Sequence, residues 1–342
     1  MFAAIALIVV TAALSYGAAN AMRHAAARLG FTDVPNQRSL HVRVTPRAGG
    51  IGFAFIVPAA IAVGDVLLGI PLTGPLVAVL IAAPALALVS LIDDRSGLPA
   101  LVRFIAQGAA ACGVVASGAV RREIVIPGRP PIHLGAWGPI VAIAWIVFLT
   151  NIYNFMDGID GLAASQAVIA AAAIAVMALW RDRSDVALAM ALTGGGVAGF
   201  LALNWPPARI FMGDVGSTFL GFFFAAWAVL SSGDGASRLP FAAWAAVLSP
   251  FLFDAALTLV RRAIRGEPIH QAHRTHLYQR LVAGGWTHAR TTILYSALAA
   301  FAAALTLLYY GTGLMAPAVY AAAVLLPLSI PLLLAHHRKA LS

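Results

Sequence analysis

The stretch Gly138-Pro139-Ile140-Val141-Ala142-Ile143-Ala144-Trp145-Ile146-Val147-Phe148-Leu149-Thr150-Asn151-Ile152-Tyr153-Asn154-Phe155-Met156-Asp157-Gly158-Ile159-Asp160-Gly161 decides the class of this chain. Its first half is an uncharged apolar run, and with the residues that follow it approaches the roughly 20 needed to cross a bilayer as a helix. Its second half sets Asn151, Asn154, Asp157 and Asp160 at three-residue steps, which on a helix share one face. Carboxylates beside hydrocarbon are costly and are expected to face a polar cavity or a cation. The segment therefore reads as a membrane helix ending in a polar, ligand-bearing surface, where Gly158 and Gly161 let the backbone turn closely around what binds.

Outward from this segment, similar apolar runs recur near 2–22, 49–69, 73–92, 98–118, 161–180, 186–204, 215–231, 239–260, 291–310 and 314–335. Of 342 residues, 61% are hydrophobic and 10% charged, against about 25% charged in soluble domains. A water-soluble globular protein is excluded. The expectation is an all-α, polytopic integral membrane bundle of about eleven transmembrane helices with short loops, forming one membrane-embedded domain over 1–342. The first run ends in Ala19-Asn20-Ala21, a cleavage-like tripeptide, but no positive charge precedes it and Arg23 follows, so it reads as a retained anchor. Between 121 and 135, Ile124 and Ile126 answer Ile132 and Leu134 around Pro127-Gly128-Arg129-Pro130-Pro131, the pattern of a small β-hairpin. Cys112 is the single cysteine, which removes intrachain disulfides and cysteine metal sites.

The net charge of +9 could suggest nucleic acid. Its distribution argues for a membrane instead. With the N-terminus outside, 16 of the 22 Lys and Arg residues fall in inner segments and 6 in outer ones, as the positive-inside rule requires. The basic residues then face the anionic lipids of the cytoplasmic leaflet, and no nucleic acid is needed to explain them.

Only 13 residues are acidic, and Asp93, Asp94, Asp157, Asp160 and Asp214 all fall at inner helix ends. Oxygen ligands of this kind suit Mg²⁺, with Mn²⁺ as the alternative; Mg²⁺ takes one or two carboxylates and completes its shell with water and phosphate oxygens. Phe211-Met212-Gly213-Asp214-Val215-Gly216-Ser217 sets a Gly-flanked carboxylate before an apolar helix, where Asp214 can cap the helix, bind a metal or do both. His270, His273 and His276 stand at three-residue steps with Arg274 among them. No cysteine or carboxylate joins them at zinc-ligand spacing, so phosphate contact is the favoured reading over a structural role or a metal. Asp254 is expected to pair within the bundle, and Asp65 to snorkel to the outer interface.

Four motifs, Asp93-Asp94, Asn-x-x-Asn-x-x-Asp-Gly-x-Asp-Gly at 151–161, Phe-Met-Gly-Asp-x-Gly-Ser at 211–217 and His-x-x-His-Arg-x-His-Leu-Tyr-Gln-Arg at 270–280, together resemble the polyprenyl-phosphate N-acetylhexosamine-1-phosphate transferases of glycosyltransferase family 4. Their order and loops match over nearly the whole chain. The resemblance implies transfer of a sugar-1-phosphate, GlcNAc-like or a deoxy derivative, from a UDP-N-acetylhexosamine to undecaprenyl phosphate, with UMP released and Mg²⁺ required. It implies a bacterial inner membrane location, a cytoplasmic active site and a role in starting lipid-linked surface glycans. Asp214 would be the leading magnesium ligand, with Asn154, Asp157 and Asp160 on nucleotide or metal, Asn151 beside them, and Asp93 and Asp94 at the lipid phosphate, one acting as base. The histidine loop would hold the diphosphate or the sugar, and Arg43 and Arg47 rank second. Adjacent histidines mark the muramoyl-pentapeptide branch; His273-Arg274-Thr275-His276 departs from it towards the enzymes that begin O-antigen and related glycans. A homodimer is left open.

Three other readings fit less well. A phospho-muramoyl-pentapeptide transferase conflicts with that last motif. An aspartyl intramembrane protease would need Gly where Phe211 stands, and a Pro-Ala-Leu tripeptide in the late helices, which is missing. A cation-coupled transporter would place its carboxylates near the bilayer midplane and show inverted repeats; here they gather at one face and no repeat is present.

Overall fold

The computed structural model describes residues 2–35, 40, 43–120, 123–232, 238–267 and 274–339. The chain opens with α1 (Phe2–Leu29), then pairs β1 (Thr32–Asp33) antiparallel with β2 (Thr45–Pro46), and continues through α2 (Ile51–Leu68), α3 (Gly74–Ser96) and α4 (Ala100–Ala116). The hairpin expected between 121 and 135 is present as β3 (Glu123–Ile124) on β4 (Ile132–His133). There follow α5 (Gly138–Phe155), α6 (Leu162–Leu179), α7 (Ser184–Asn204), α8 (Asp214–Ser231), α9 (Phe241–Val247), α10 (Ser249–Ile264), α11 (Leu277–Ala283), α12 (His288–Thr312), α13 (Pro317–Leu325) and α14 (Ser329–Lys339).

Among the described residues, nine helical segments are long and apolar enough to cross a membrane, α13 and α14 counting as one. The α9–α10 pair makes a tenth, bent by 79°, and α4 adds an apolar helix of 17 residues. This is a multi-pass helical membrane protein. The single span expected at 239–260 is broken because Pro250, in the first turn of α10, cannot donate the backbone hydrogen bond that would continue α9.

α8 is the axis of the bundle. It packs against α3, α5 and α2, and Phe219, Phe222, Phe223, Phe224 and Trp227 on it are enclosed. Lipid tails are as apolar as these side chains, so transfer out of water does not hold such a helix in place; close packing does. Phe219 stacks on Phe223 at 5.1 Å, and Phe223 meets Trp227 edge to face at 6.1 Å. Glycine allows the closest approaches. A Cβ at Gly221 would lie 2.7 Å from Thr150 Cα of α5, and one at Gly216 would lie 2.9 Å from Gly50 Cα before α2.

Two acidic residues outside the motifs behave differently from each other. Asp254 takes the bundle role expected of it: its carboxylate accepts the N–H groups of Leu277 (2.8 Å) and Tyr278 (3.1 Å) and the Tyr295 hydroxyl, docking α11 and α12 onto α10. Asp65, expected to snorkel, is instead fully buried in the last turns of α2, with neither carboxylate oxygen hydrogen-bonded. Snorkelling relies on the long stems of Lys and Arg, and a one-methylene side chain does not have that reach.

Candidate active site

The sequence motifs meet where α3 and α5 end and α8 begins. Gly213, at φ +75°, turns the chain into α8 so that Asp214 is its first residue. The first N–H groups of a helix have no partner within it, and here Asp94, from the far end of α3, supplies one. Asp94 Oδ1 accepts the Asp214 N–H at 3.0 Å and Oδ2 accepts the Val215 N–H at 3.1 Å. The Arg47 guanidinium pairs with the same carboxylate. Burial works against the Arg47 charge, and Asp94, with Asp214 and Asp33 behind it, more than offsets it, so the guanidinium is held above its ordinary range.

Arg103, in the first turn of α4, stands 3.0 Å from Asp93 Oδ2 and 3.5 Å from Asp214 Oδ2. Asp93 also accepts the Leu98 N–H. Asn154 donates to Ser217 Oγ at 3.0 Å, and Asn151 donates to Gln107 Oε1 at 2.6 Å.

The shared helical face expected for residues 151–161 exists only in part. α5 ends at Phe155, so Asn151 and Asn154 lie on the helix while Asp157 and Asp160 lie in the turn beyond it. Gly158 cannot carry a side chain there, because a Cβ would fall 2.0 Å from the Tyr278 hydroxyl, which donates to Phe155 O at 3.0 Å. The break separates the two carboxylates in chemistry as well. Asp160 is occupied at both oxygens, by His288 Nδ1 (3.0 Å) and by the Ala208 N–H (3.0 Å). Asp157 has no hydrogen bond or ion pair to its carboxylate among the described residues. Burial first, then the nearby charges of Asp214, Asp94 and Asp160, push Asp157 up to about 8.

Two hollows open on this cluster. A polar cavity of about 270 Å³ is lined by Asp33, Arg47, Asp157, Asp160, Asn204, Phe211, Asp214, Gln279 and His288, among others. A larger groove of about 690 Å³ runs between α3, α4 and α5 along Phe104, Gly108, Ile140, Ile143, Val147 and Phe148, and it ends at Arg103, Asn151, Asn154 and Asp214. Asp214 lines both. A water-soluble anion and a long apolar molecule can therefore meet at one carboxylate.

Among the described residues no three His, Cys, Asp or Glu side chains form a metal cage. Mg²⁺ needs fewer protein ligands. The donor chemistry fits it, since Asp157 is an unpartnered carboxylate close enough to Asp214 and Asp94 for mutual repulsion to matter.

Of the expected site residues, Asp93, Asp94, Asp157, Asp160, Asp214, Asn151, Asn154 and Arg47 gather here. The Asp93 carboxylate is paired with Arg103, and the Asp94 carboxylate caps α8 and pairs with Arg47. Arg43 is exposed and lines neither hollow. His276 is only 2% exposed, 3.3 Å from Asp254 Oδ1, and its ring packs beside Tyr278. It lines neither hollow, so its visible role is to anchor α11. Arg274 is exposed and also away from both walls. His270 and His273 lie outside the described residues. Sequence reasoning overlooked Arg103, Gln107, Gln279 and His288. For Arg103 a signal existed, a cation one turn into a helix and ten residues after Asp93; for the other three there was none.

Comparison with known proteins identifies the family. Residues 76–232 match the model of glycosyl transferase family 4. The chain is 33% identical over 335 residues to the decaprenyl-phosphate N-acetylglucosaminephosphotransferase of Mycobacterium tuberculosis, covering 89% of this chain and 83% of that one. It is 29% identical over 274 residues to a probable undecaprenyl-phosphate N-acetylglucosaminyl 1-phosphate transferase of Bacillus subtilis, covering 80% of this chain and 75% of that one. A phospho-N-acetylmuramoyl-pentapeptide-transferase of Desulforudis audaxviator is 35% identical over 219 residues, 58% of this chain and 66% of that one. With carboxylates from α3, the α5–α6 turn and α8 converging between a polar cavity and an apolar groove, and with a relative 33% identical over 89% of the chain, this chain belongs to glycosyl transferase family 4.

Proposed function

We propose that this protein transfers an N-acetylhexosamine-1-phosphate from a UDP-sugar to undecaprenyl phosphate, releasing UMP. The observation that carries this reading is Asp214 lying on the wall of both hollows. The apolar groove suits the first units of a polyprenyl chain, with the remainder in the bilayer, and its polar end brings the lipid phosphate to Arg103. The polar cavity suits the UDP-sugar, with Arg47 beside the diphosphate. The 16-to-6 charge asymmetry supports a cytoplasmic position for this end of the bundle, and the proposed membrane is the bacterial plasma membrane, where both substrates are reachable.

In the reaction an oxygen of the lipid phosphate attacks the sugar-bearing phosphorus of the donor. The bond to the bridging diphosphate oxygen breaks, and that oxygen leaves with its electron pair on UMP. A phosphate monoester has its second pKa near 6, so the nucleophile is already largely ionised at about pH 7. Proton removal is therefore a small part of the barrier, and bringing several anions together is the large part. Asp157 and Asp214 would hold Mg²⁺, which when bound supplies the charge neutralisation those anions need. Arg103 and Arg47 add fixed cations on the groove side and the cavity side. Asp94 keeps α8 capped, so Asp214 does not shift as charge develops.

Purified protein with undecaprenyl phosphate, Mg²⁺ and a panel of UDP-sugars tests the proposal. UMP release from UDP-N-acetylhexosamines, including deoxy forms, is expected. No UMP from any donor, or turnover of UDP-MurNAc-pentapeptide alone, would overturn it.

A further inference from the structure

The first turn of α12 holds the α5–α6 turn in two places. His288 Nδ1 lies 3.0 Å from Asp160 Oδ1, and one helical turn later Thr292 Oγ1 donates to the Asp160 backbone carbonyl at 2.7 Å. On the other side, Ala208 N–H binds Asp160 Oδ2 and Asn204 Oδ1 accepts the Gly161 N–H at 3.0 Å. Asp160 is thus fixed at both carboxylate oxygens and at its backbone. Asp157, unpaired among the described residues, lies three residues earlier in the same turn, so its position is inherited from that grip.

His288 is more than a structural partner, because its ring also lines the polar cavity. Its second nitrogen, Nε2, faces the Leu40 carbonyl at 3.2 Å. A neutral imidazole carries one N–H and can serve only one of these acceptors; a ring with both protons serves both. The proton on Nδ1 holds the Asp160 carboxylate, and the contact of Nε2 with the Leu40 carbonyl fixes the plane of the ring in the cavity wall.

Resting on the UDP-sugar reading above, we propose that His288 is a positioning residue for the donor. It clamps Asp160, fixes the turn bearing Asp157, and so sets affinity for the nucleotide while leaving the lipid groove untouched. That groove is lined by α3, α4 and α5 with Asp214 and Thr218 of α8 and Leu259 of α10, and α12 does not line it.

Two measurements on the full chain in detergent test this. The first uses no substrate. Hydrogen exchange should quicken at the amides of 157–161 and at Ala208 in His288→Ala, while α5 and α6 interiors stay protected. His288→Asn, whose amide nitrogen takes the place of Nδ1, should restore protection, and His288→Gln, whose nitrogen takes the place of Nε2, should not. The second is calorimetric titration with UMP, where His288→Ala should bind on the order of tenfold more weakly, with His288→Asn recovering most of the loss and the KM for undecaprenyl phosphate unchanged in both. Unaltered exchange in His288→Ala, or His288→Asn as impaired as His288→Ala, would overturn the clamp. A clamp seen by exchange in a wild-type protein that neither binds UMP nor releases it would retire the donor reading and with it the proposed role in nucleotide affinity.

Discussion

Asp94 accepts the backbone N–H of Asp214 at 3.0 Å, joining the end of α3 to the start of α8 across 120 residues of chain. The two carboxylates, which the sequence offers as a lipid-phosphate residue and a magnesium ligand, do different structural work. One is enclosed and holds a helix; the other, 32% exposed at its side chain, faces the hollows.

Replacing Asp94 should therefore cost structure as well as activity. Asp94→Ala removes both acceptors at the α8 N-terminus and leaves Arg47 without its partner. Losing a cap alone costs about 1–2 kcal/mol. A lowered Tm with lost turnover, not restored at high pH, is expected. Wild-type Tm with turnover recovering as pH rises would mark Asp94 as a base instead.

Asp214→Asn keeps size and one oxygen but removes the charge facing both hollows. Turnover should collapse, excess Mg²⁺ should restore little, and Tm should hardly change, because the Asp214 backbone, not its side chain, carries the cap. Steady-state rates across a Mg²⁺ series check this. Near-normal turnover with unchanged Mg²⁺ dependence would remove Asp214 from the metal site.

Asp157 predicts a pH dependence of stability without divalent cation. Its carboxyl titrates at about 8 in the fold against an ordinary 3.8, so the folded state holds the proton more tightly than the unfolded chain. The stabilisation is complete below 3.8 and is lost as pH rises towards about 8. Asp157→Asn cannot ionise, so its Tm should exceed that of the wild type increasingly across this window, and added Mg²⁺ should narrow the gap. Parallel Tm curves for the two proteins would refute the assignment.

The apolar groove can be filled without disturbing the bundle. A Cβ at Gly108 would meet nothing within 4 Å, and Gly108 lines the groove on α4. Gly108→Leu should raise the KM for undecaprenyl phosphate about tenfold, which is about 1.4 kcal/mol. Donor KM should stay the same, and helix propensity favours the variant by up to about 1 kcal/mol. An equal rise in both KM values would point to a general distortion.

Orientation follows from the charge count. In a Cys112→Ala background, single cysteines placed in 23–47 or 261–290 should resist an impermeant thiol reagent in intact cells, while cysteines in 121–135 should react. The reverse pattern would move the active site to the outside.

Much of this molecule is legible in one dimension because a bilayer allows few solutions. Backbone groups in hydrocarbon must bond within their own helix, so apolar length alone marks α1 to α3, α5 to α8, α12 and the α13–α14 segment. The Gly-flanked carboxylates mark the site for a similar reason, since charge beside lipid is costly unless something there uses it. Local chemistry ended there. Nothing in the order of residues says that Asn151 and Asn154 look into a lipid-sized groove while Asp157 and Asp160, three and six residues on, look into a polar cavity. That division arises where α5 ends against Tyr278. Nor does the sequence tell that Asp94 is a cap, that Arg103 stands between Asp93 and Asp214, that His276 is turned inward to Asp254, or that His288 holds Asp160. Each of these is a contact between residues 10 to 128 positions apart. A carboxylate's role depends on which cation or N–H lies within about 3 Å of it, and only packing of the helices around α8 decides that.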